Sequence, residues 1–277
     1  FFRTVPADDV QTLALVELAQ YWGWDNVGVI STASIYGTDL SATFLTSANA
    51  LGLRVSQHVA VPEGSNVIWT DHVQLLKDND VHIAVVLGEP EDVFEIVRAA
   101  KAIGYKPRAW IAAASFFTSP YIATAIVPYG LTMSDFNGFV GAAAGLDLEN
   151  PTYLSFKANL SNPIYGAQPE LIRQCDIVPL YCAYVYDSVF TLAHAIKNMV
   201  LVGGNPRNQT QMLAAIRQVD VQLTTGRVHF DNAQDRLDGQ YSLLNFVGET
   251  VTQVGTWTEA NGAAFSRAVV WPDGSTN

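Results

Sequence analysis

Short apolar runs alternate with longer segments of helical spacing along the first 113 residues. Residues 27–30 are wholly apolar, as expected for a parallel strand that helices cover on both faces. A first helix is predicted from residue 8, and further helices over 38–51, 67–78 and 91–103. The predicted strands cover 27–30, 53–61, 81–87 and 110–113. This strict alternation with short loops predicts an α/β fold with a doubly wound parallel sheet.

The pattern changes after residue 115. Residues 116–145 contain many proline and glycine turn formers and one short predicted strand, so we interpret them as a connection. Helices are predicted over 153–160, 177–202 and 209–219. The apolar residues of the long helix are interpreted as core, because helical spacing of such residues usually means burial. An antiparallel meander is predicted over 227–230, 241–246 and 251–257.

Composition then narrows the class of protein. The chain of 277 residues is 49% apolar, which is enough to bury a sizeable core. Its net charge of −11 disfavours nucleic acid and anionic membrane surfaces as partners, since both require a cationic surface. No apolar run has the length of a membrane span, and no signal peptide is recognisable. We expect any such segment of the natural protein to lie outside this sequence.

The cysteines and the glycosylation sequons bear on the compartment. Cys175 and Cys182 are seven residues apart in a region predicted to be helical, about 10 Å along one face, which favours two separate buried thiols. A disulfide is the alternative, and it requires Cys175 to lie outside the helix, as Pro179 would allow. Sequons at Asn159 and Asn208, in polar and loop-like surroundings, are candidate glycosylation sites and favour the secretory route.

The sequence contains few features of an enzyme. None of its five histidines belongs to a metal-binding motif, and no nucleophile motif or CxxC pair occurs. The loop after the first strand also lacks the glycine-rich phosphate fingerprint. We therefore expect no catalysis, no cofactor and no metal.

Polar and aromatic side chains follow the predicted strands, at the edge where ligands bind in open α/β sheets. They suit a small polar ligand held by hydrogen bonds and one stacking ring. The alternative for each of them is a solvated loop position. Asp8 is a further candidate, either as a helix N-cap or as a carboxylate for a ligand amine. The remaining candidates are Ser31, Thr32, Ser34, Tyr36, Glu89, Ser115 and Phe116.

Two sets of short motifs occur in order along the chain. The opening motifs are FFRT at residues 1–4, Pro6, Asp8, Gln11, WGW at 22–24 and YG at 36–37. The later motifs are YVYDSVF at 184–190, TGRVHFD at 225–231, VGTW at 254–257 and WPDG at 271–274. Together they closely resemble the ligand-binding region shared by the natriuretic-peptide receptors, the class C G-protein-coupled receptors (GABA-B and metabotropic glutamate types) and the type 1 periplasmic binding proteins.

The resemblance implies a two-lobed clamshell in which the chain crosses between lobes about three times. It assigns residues 1–137 to the main part of the second lobe and 138–204 to the first lobe. Residues 205–258 would be the closing β segment of the second lobe, and 259–277 the hinge and carboxyl-terminal tail. The amino-terminal part of the first lobe is then expected outside this sequence or from a partner chain.

For the site, the resemblance implies roles for two residues. In the amino-acid-binding receptors of this family, a carboxylate at the position of Asp8 and a tyrosine at that of Tyr36 face the ligand. A further acidic residue would fall within 112–115, where this chain has none. This departure weakens the expectation of a glutamate-like ligand and leaves the ligand class open.

The leading hypothesis is a non-catalytic extracellular or cell-surface sensor, periplasmic in a bacterium, that signals by lobe closure. Its ligand would be small and polar, with amino-acid-like compounds as one class. The full-length protein would be membrane-anchored and would form homo- or heterodimers. The alternative is a structural or protein-interaction module that kept the clamshell fold and lost its ligand. An enzyme is the third hypothesis, and it would have to rely on Asp8, Glu89 and Asp71.

Overall fold

The computed structural model describes residues 1–119, 121–162, 164, 168–177 and 179–276. The chain divides into two compact units. The smaller unit comprises Phe1–Ala7 and Ala144–Gln240, and the larger unit comprises Asp8–Ala143 and Tyr241–Asn277. These divisions differ from the predicted lobe boundaries, chiefly because residues 205–240 pack with 144–204. The assignment of segments to a first and a second lobe stays a prediction.

One eight-stranded sheet organises the larger unit, in the order β10 (Gly262–Phe265), β9 (Thr250–Thr258), β8 (Tyr241–Val247), β5 (Phe139–Ala144), β4 (Ala109–Ala112), β3 (Ile83–Leu87), β1 (Asn26–Thr32) and β2 (Arg54–Val61). The pairs β1/β2, β1/β3, β3/β4 and β4/β5 are parallel, which confirms the predicted doubly wound parallel sheet. Its parallel strands are β1 to β5. Its helices are α1 (Asp8–Tyr21), α2 (Ile35–Leu51), α3 (Trp69–Asp78), α4 (Pro90–Ile103), α5 (Ala114–Thr118) and α6 (Ile122–Ala125).

Each face of this sheet has its own apolar core. Side chains alternate along a strand, so Ile30 and Val86 belong to one core while Val29 and Val85 belong to the other. Helices α3 and α4 cover the first face, and α1 and α2 cover the second. Burying a large apolar side chain contributes about 1.5–3 kcal/mol, so the two cores dominate the stability of this unit.

Two predictions for the larger unit require correction. Residues 116–145 are not only a connection, because β5 is the fifth parallel strand and is buried along nearly its whole length. Gly141 permits this pairing, since a Cβ there would lie 2.4 Å from the Ala112 carbonyl oxygen. The predicted meander has a different set of strands: it consists of β8 (Tyr241–Val247), β9 (Thr250–Thr258) and β10 (Gly262–Phe265), and β10 was not predicted. Residues 227–230 lie in the smaller unit instead.

Helices make up about half of the smaller unit. They are α7 (Pro151–Leu160), α8 (Pro169–Ile177), α9 (Pro179–Leu201) and α10 (Gln209–Arg217). A separate antiparallel pair is formed by β6 (Val221–Leu223) and β7 (Gly226–Val228). The interpretation of α9 as a core helix is only partly confirmed. Ala183, Tyr184, Ala195 and Met199 are buried, but Tyr181, Val185, Val189, Phe190, Leu192, Val200 and Leu201 are exposed.

A disulfide joins Cys175 to Cys182, with a Cα–Cα distance of 5.5 Å. The expectation of two separate thiols is therefore wrong. Cys175 belongs to α8, whereas Cys182 lies in the first turn of α9, which begins at Pro179. Because one continuous helix does not connect the two residues, the separation expected along a helix does not apply.

Buried Asp187 fixes β6 and β7 against α9. Its two carboxylate oxygens accept hydrogen bonds from the backbone amides of Thr224 and Thr225, at 2.9 and 2.8 Å, and from both hydroxyls. The Arg236 guanidinium donates to Thr225 and to the backbone oxygens of Thr4 and Arg227. This network holds together segments that are more than 200 residues apart in the chain.

We expect the double variant Cys175→Ser/Cys182→Ser to lose about 2 kcal/mol of unfolding free energy, because the disulfide restricts the unfolded chain. Urea denaturation followed by circular dichroism measures this loss. A reducing agent should lower the urea midpoint of the wild type to that of the variant. It should leave the midpoint of the variant unchanged. Equal midpoints of the wild type and the variant would contradict the expectation.

We expect Asp187→Asn to lower the free energy of unfolding by about 2–4 kcal/mol. The substitution replaces one of the two acceptor oxygens of the carboxylate by an amide nitrogen, which leaves buried donors unpaired. Asp220→Asn is the matched control, since Asp220 pairs with Arg227 at the exposed surface. The same urea titration should show a much smaller change for the control. Comparable losses in the two variants would rule out a special role for Asp187.

Candidate ligand-binding site

The candidate site lies in the larger unit, at the carboxyl edge of the parallel strands. In the strand order β2-β1-β3-β4-β5, the crossovers that leave β1 and β3 lie on opposite faces, α2 on one and α4 on the other, so the switch point is between β1 and β3. Loops that leave the sheet at such a point diverge and open a crevice, which is where ligands bind in this class of fold. Tyr36 follows β1, Glu89 follows β3, and Ser115 follows β4.

Tyr36 is the centre of the site. Burial raises the pKa of its hydroxyl to about 12. The side chain and backbone of the nearby Ser115 oppose this shift, and the charges of Asp8 and Glu89 add to it. The phenol therefore keeps its proton at neutral pH and serves as a neutral hydrogen-bonding group.

Ser115, which follows β4, connects the end of that strand to the end of β3. Its hydroxyl donates a hydrogen bond to the Gly88 carbonyl oxygen at 2.8 Å. Gly88 is packed tightly, because a Cβ there would lie 2.8 Å from the Asp92 carboxylate. The hydrogen bond from Ser115 to Gly88 joins the end of β4 to the end of β3, and Tyr36, which follows β1, lies near enough to Ser115 for that residue to affect its pKa.

Thr32 and Ser34 bind groups within the protein. The Thr32 hydroxyl donates its only proton to the Asp92 carboxylate at 3.1 Å, so in its contact with Ser34 it accepts. Ser34 then donates to Thr32 and accepts from the Gly37 amide at 3.0 Å, as the N-cap of α2. These two hydroxyls hold the loop after β1 in place, and neither has a proton left for a ligand.

Asp92 was missed by the sequence analysis. It lies in the first turn of α4 and accepts a hydrogen bond from the Glu89 backbone amide at 2.9 Å, in addition to the one from Thr32. The available signal was its spacing, since an acidic residue three positions after a helix start is typical of a capping box. Burial raises the pKa of Asp92, and its hydrogen bonds from Glu89 and Thr32 oppose that shift.

Ser31 and Phe116 are placed inside the protein. Ser31 is 1% exposed, and its hydroxyl lies 3.1 Å from the His58 ring nitrogen. Phe116 is fully buried among other aromatic rings. Its ring centroid lies 5.2 Å from that of Phe136 and 5.5 Å from that of Phe139. Its ring has no exposed face for the predicted stacking, because α5 begins directly after β4 and turns this side chain into the core.

Acidic groups dominate the charge at this edge. Asp8 is exposed in the first turn of α1, close enough for its charge to act on Tyr36. Burial raises the pKa of Glu89, and the neighbouring Asp92 and Glu91 raise it further. Glu63 acts on Asp92 in the same direction. A ligand group placed here meets a negative potential, which favours a cation.

Both predicted glycosylation sites are exposed. Asn159 lies in the last turn of α7, which corrects the expected loop. Asn208 is the N-cap of α10, and its side-chain oxygen accepts from the Gln211 amide at 3.1 Å. Attachment of a glycan at either asparagine stays a prediction. Among the described helices, none is both long and apolar enough to span a membrane.

Comparison with known proteins gives the family. Residues 1–249 match the family described as the receptor family ligand binding region. Metabotropic glutamate receptor-like protein E of Dictyostelium discoideum is 24% identical over 260 residues, which cover 90% of this chain and 30% of that protein. Taste receptor type 1 member 3 of Rattus norvegicus is 22% identical over a match that covers 92% of this chain and 34% of that protein. Glutamate receptor 3.1 of Oryza sativa subsp. japonica is 22% identical over a match that covers 95% of this chain and 30% of that protein.

The chain spans about a third of the length of these relatives. The family match covers most of the chain and agrees with the mixed α/β fold and its largely parallel sheet. The resemblance found in the sequence motifs is thereby confirmed. This protein belongs to the receptor ligand-binding family.

Proposed function

We propose that this chain is the ligand-sensing part of a receptor and that its ligand is a small polar molecule carrying a protonated amine. The observation behind this proposal is the cluster of Tyr36, Ser115 and Gly88 at three strand ends, where the charges of Asp8 and Glu89 act on the Tyr36 phenol. Asp8 and Glu89 would hold the amine, and the half-buried ring of Tyr36 would offer a cation–π face. Phe116, Ser31, Thr32 and Ser34 would support the site from behind it.

The same proposal covers how the signal is produced. A ligand that contacts both lobes of a clamshell binds its closed form more tightly and so shifts the population toward closure. We place the module outside the cell, as the ligand-binding part of a membrane-anchored and dimeric receptor. The disulfide supports this placement, because such bonds persist in oxidising compartments. We also propose that the module is not an enzyme, in keeping with a family described by ligand binding.

A second candidate function is a structural or interaction module without a ligand. It is favoured by the hydroxyls of Ser34 and Thr32, which are engaged within the protein rather than directed to a ligand. The lack of an acidic residue within 112–115 points the same way. This alternative predicts that no small molecule stabilises the folded chain.

Isothermal titration calorimetry distinguishes the two functions. The panel pairs free amino acids with their N-acetylated and decarboxylated forms. We expect ligands with a free amine to bind and the N-acetylated forms to lose binding, because acetylation removes the positive charge. Equal binding of amine and N-acetyl forms would contradict the proposed role of the acidic edge. No heat from any compound, with a cooperative thermal unfolding transition, would support the structural module.

We expect Asp8→Asn to weaken binding of an amine ligand by about tenfold or more, because hydrogen bonds to charged groups contribute about 1.5–3 kcal/mol. Asp25→Asn is the matched control, since Asp25 is also exposed but precedes β1 at the opposite edge of the sheet. Calorimetry with the best ligand of the panel measures both affinities. An unchanged affinity in the folded Asp8→Asn variant would assign Asp8 to helix stability alone.

A further inference from the structure

A second cavity in the larger unit lies at the amino edge of the sheet, opposite the candidate ligand-binding site. Its volume is about 570 Å³, within the usual range for small-molecule sites. Residues 105–110 form one wall as the chain leads into β4, and Val97, Ala100 and Lys101 at the end of α4 form another. The function proposed above does not use this cavity.

The charge of the cavity wall is opposite to that of the chain. Three of the 15 basic residues line it, Lys101, Lys106 and Arg108, against two acidic residues, Asp135 and Asp273. Lys101 pairs with Asp135 at 2.8 Å. One oxygen of Asp273 accepts from the amide and the hydroxyl of Ser275, at 2.9 and 2.6 Å.

Two cations of this wall remain without an ion pair. No salt bridge of Lys106 or Arg108 occurs within the part of the chain that the structure describes. The charge of Arg108 helps to lower the pKa of Asp273, but three cations against two carboxylates still leave this wall with a net positive charge, and so a local positive potential, in a protein of net charge −11. This potential selects an anion.

The aromatic wall indicates the rest of the ligand. Tyr105 and Trp110 line the cavity and are each 7% exposed. Trp110 stacks on Phe139 at 5.2 Å, and the Tyr105 hydroxyl donates to the Val81 carbonyl oxygen at 2.8 Å, so both rings are fixed. An inorganic anion would gain nothing from these rings, whereas an organic anion would bury its apolar part against them.

Two buried polar atoms at this edge lack partners among the described residues. One is the side-chain oxygen of Asn137, which lines the cavity. The other is the indole nitrogen of Trp22, in an adjoining cavity of about 280 Å³ that shares Arg108 and Asp273 with the first. Buried groups of this kind are rare in folded proteins and call for a partner, which a ligand can supply.

We propose that this cavity binds a small organic anion, whose carboxylate, sulfonate or phosphate group lies between Lys106 and Arg108 and whose apolar part lies against Trp110. If the ligand carries a hydrogen-bond donor, the side-chain oxygen of Asn137 accepts from it. The site is separate from the acidic edge, so one chain offers an amine site and an anion site at opposite ends of the same sheet.

The test is a titration of the full chain with 1-naphthalenesulfonate, followed by calorimetry and by tryptophan fluorescence. Comparison probes are 1-naphthalenemethanol, 1-naphthylmethylamine and sodium sulfate. We expect the sulfonate to bind at least tenfold more tightly than any of them, because it alone combines the anionic group with the aromatic body. Sulfate binding as tightly as the sulfonate, or the alcohol binding equally well, would overturn the proposal.

Variants locate the bound probe. Arg108→Glu and Lys106→Glu should each weaken sulfonate binding by about tenfold or more. Arg267→Glu is the matched control, since Arg267 is exposed in the same unit and does not line the cavity. Ser134→Trp, which fills the cavity without a change of charge, should also abolish binding, and Tyr36→Phe should leave it unchanged. Equal losses in Arg267→Glu and Arg108→Glu, or loss in Tyr36→Phe, would overturn the assignment of the site.

Discussion

Burial of the parallel sheet on both faces is the constraint on which the larger unit depends. A parallel strand cannot leave one face in water in the way that many antiparallel strands do, because its crossover helices cover both faces. Here the two cores alternate residue by residue along β1 and β3, with α1 and α2 on one face and α3 and α4 on the other. The edges of the sheet are then the places where polar chemistry reaches solvent.

The two edges have opposite character. At the carboxyl edge, Asp8 and Glu89 set a negative potential around the phenol of Tyr36, and Asp92 acts on Glu89 in turn. At the amino edge, Lys106 and Arg108 line a cavity with a rigid aromatic wall. A total of 15 basic against 26 acidic residues does not reveal this separation, which arises because the strands place loop residues alternately at one edge and then the other.

Hydrogen-bond capacity decides which polar residues of the carboxyl edge are open to a ligand. A hydroxyl has one proton, and the protons of Ser34 and Thr32 are directed to Thr32 and Asp92. Residues that look equivalent in the sequence therefore separate into those that build the loop and those that face the crevice. The family resemblance assigns Tyr36 and Asp8 to the second group, and for both residues contact with a ligand stays a prediction.

The sequence by itself determined the fold class, the order of the first four strands and their helices, the family and the strand-end loops that form the candidate site. These features depend on local apolar patterning and on short motifs, which can be read without knowledge of distant contacts. Tertiary structure decided the rest: the Cys175–Cys182 disulfide, the burial of Phe116, the pairing of β5 with β4 and the cavity beside Arg108. Each of these depends on where a helix ends or on which segments meet after folding, and no periodicity in the chain carries that information.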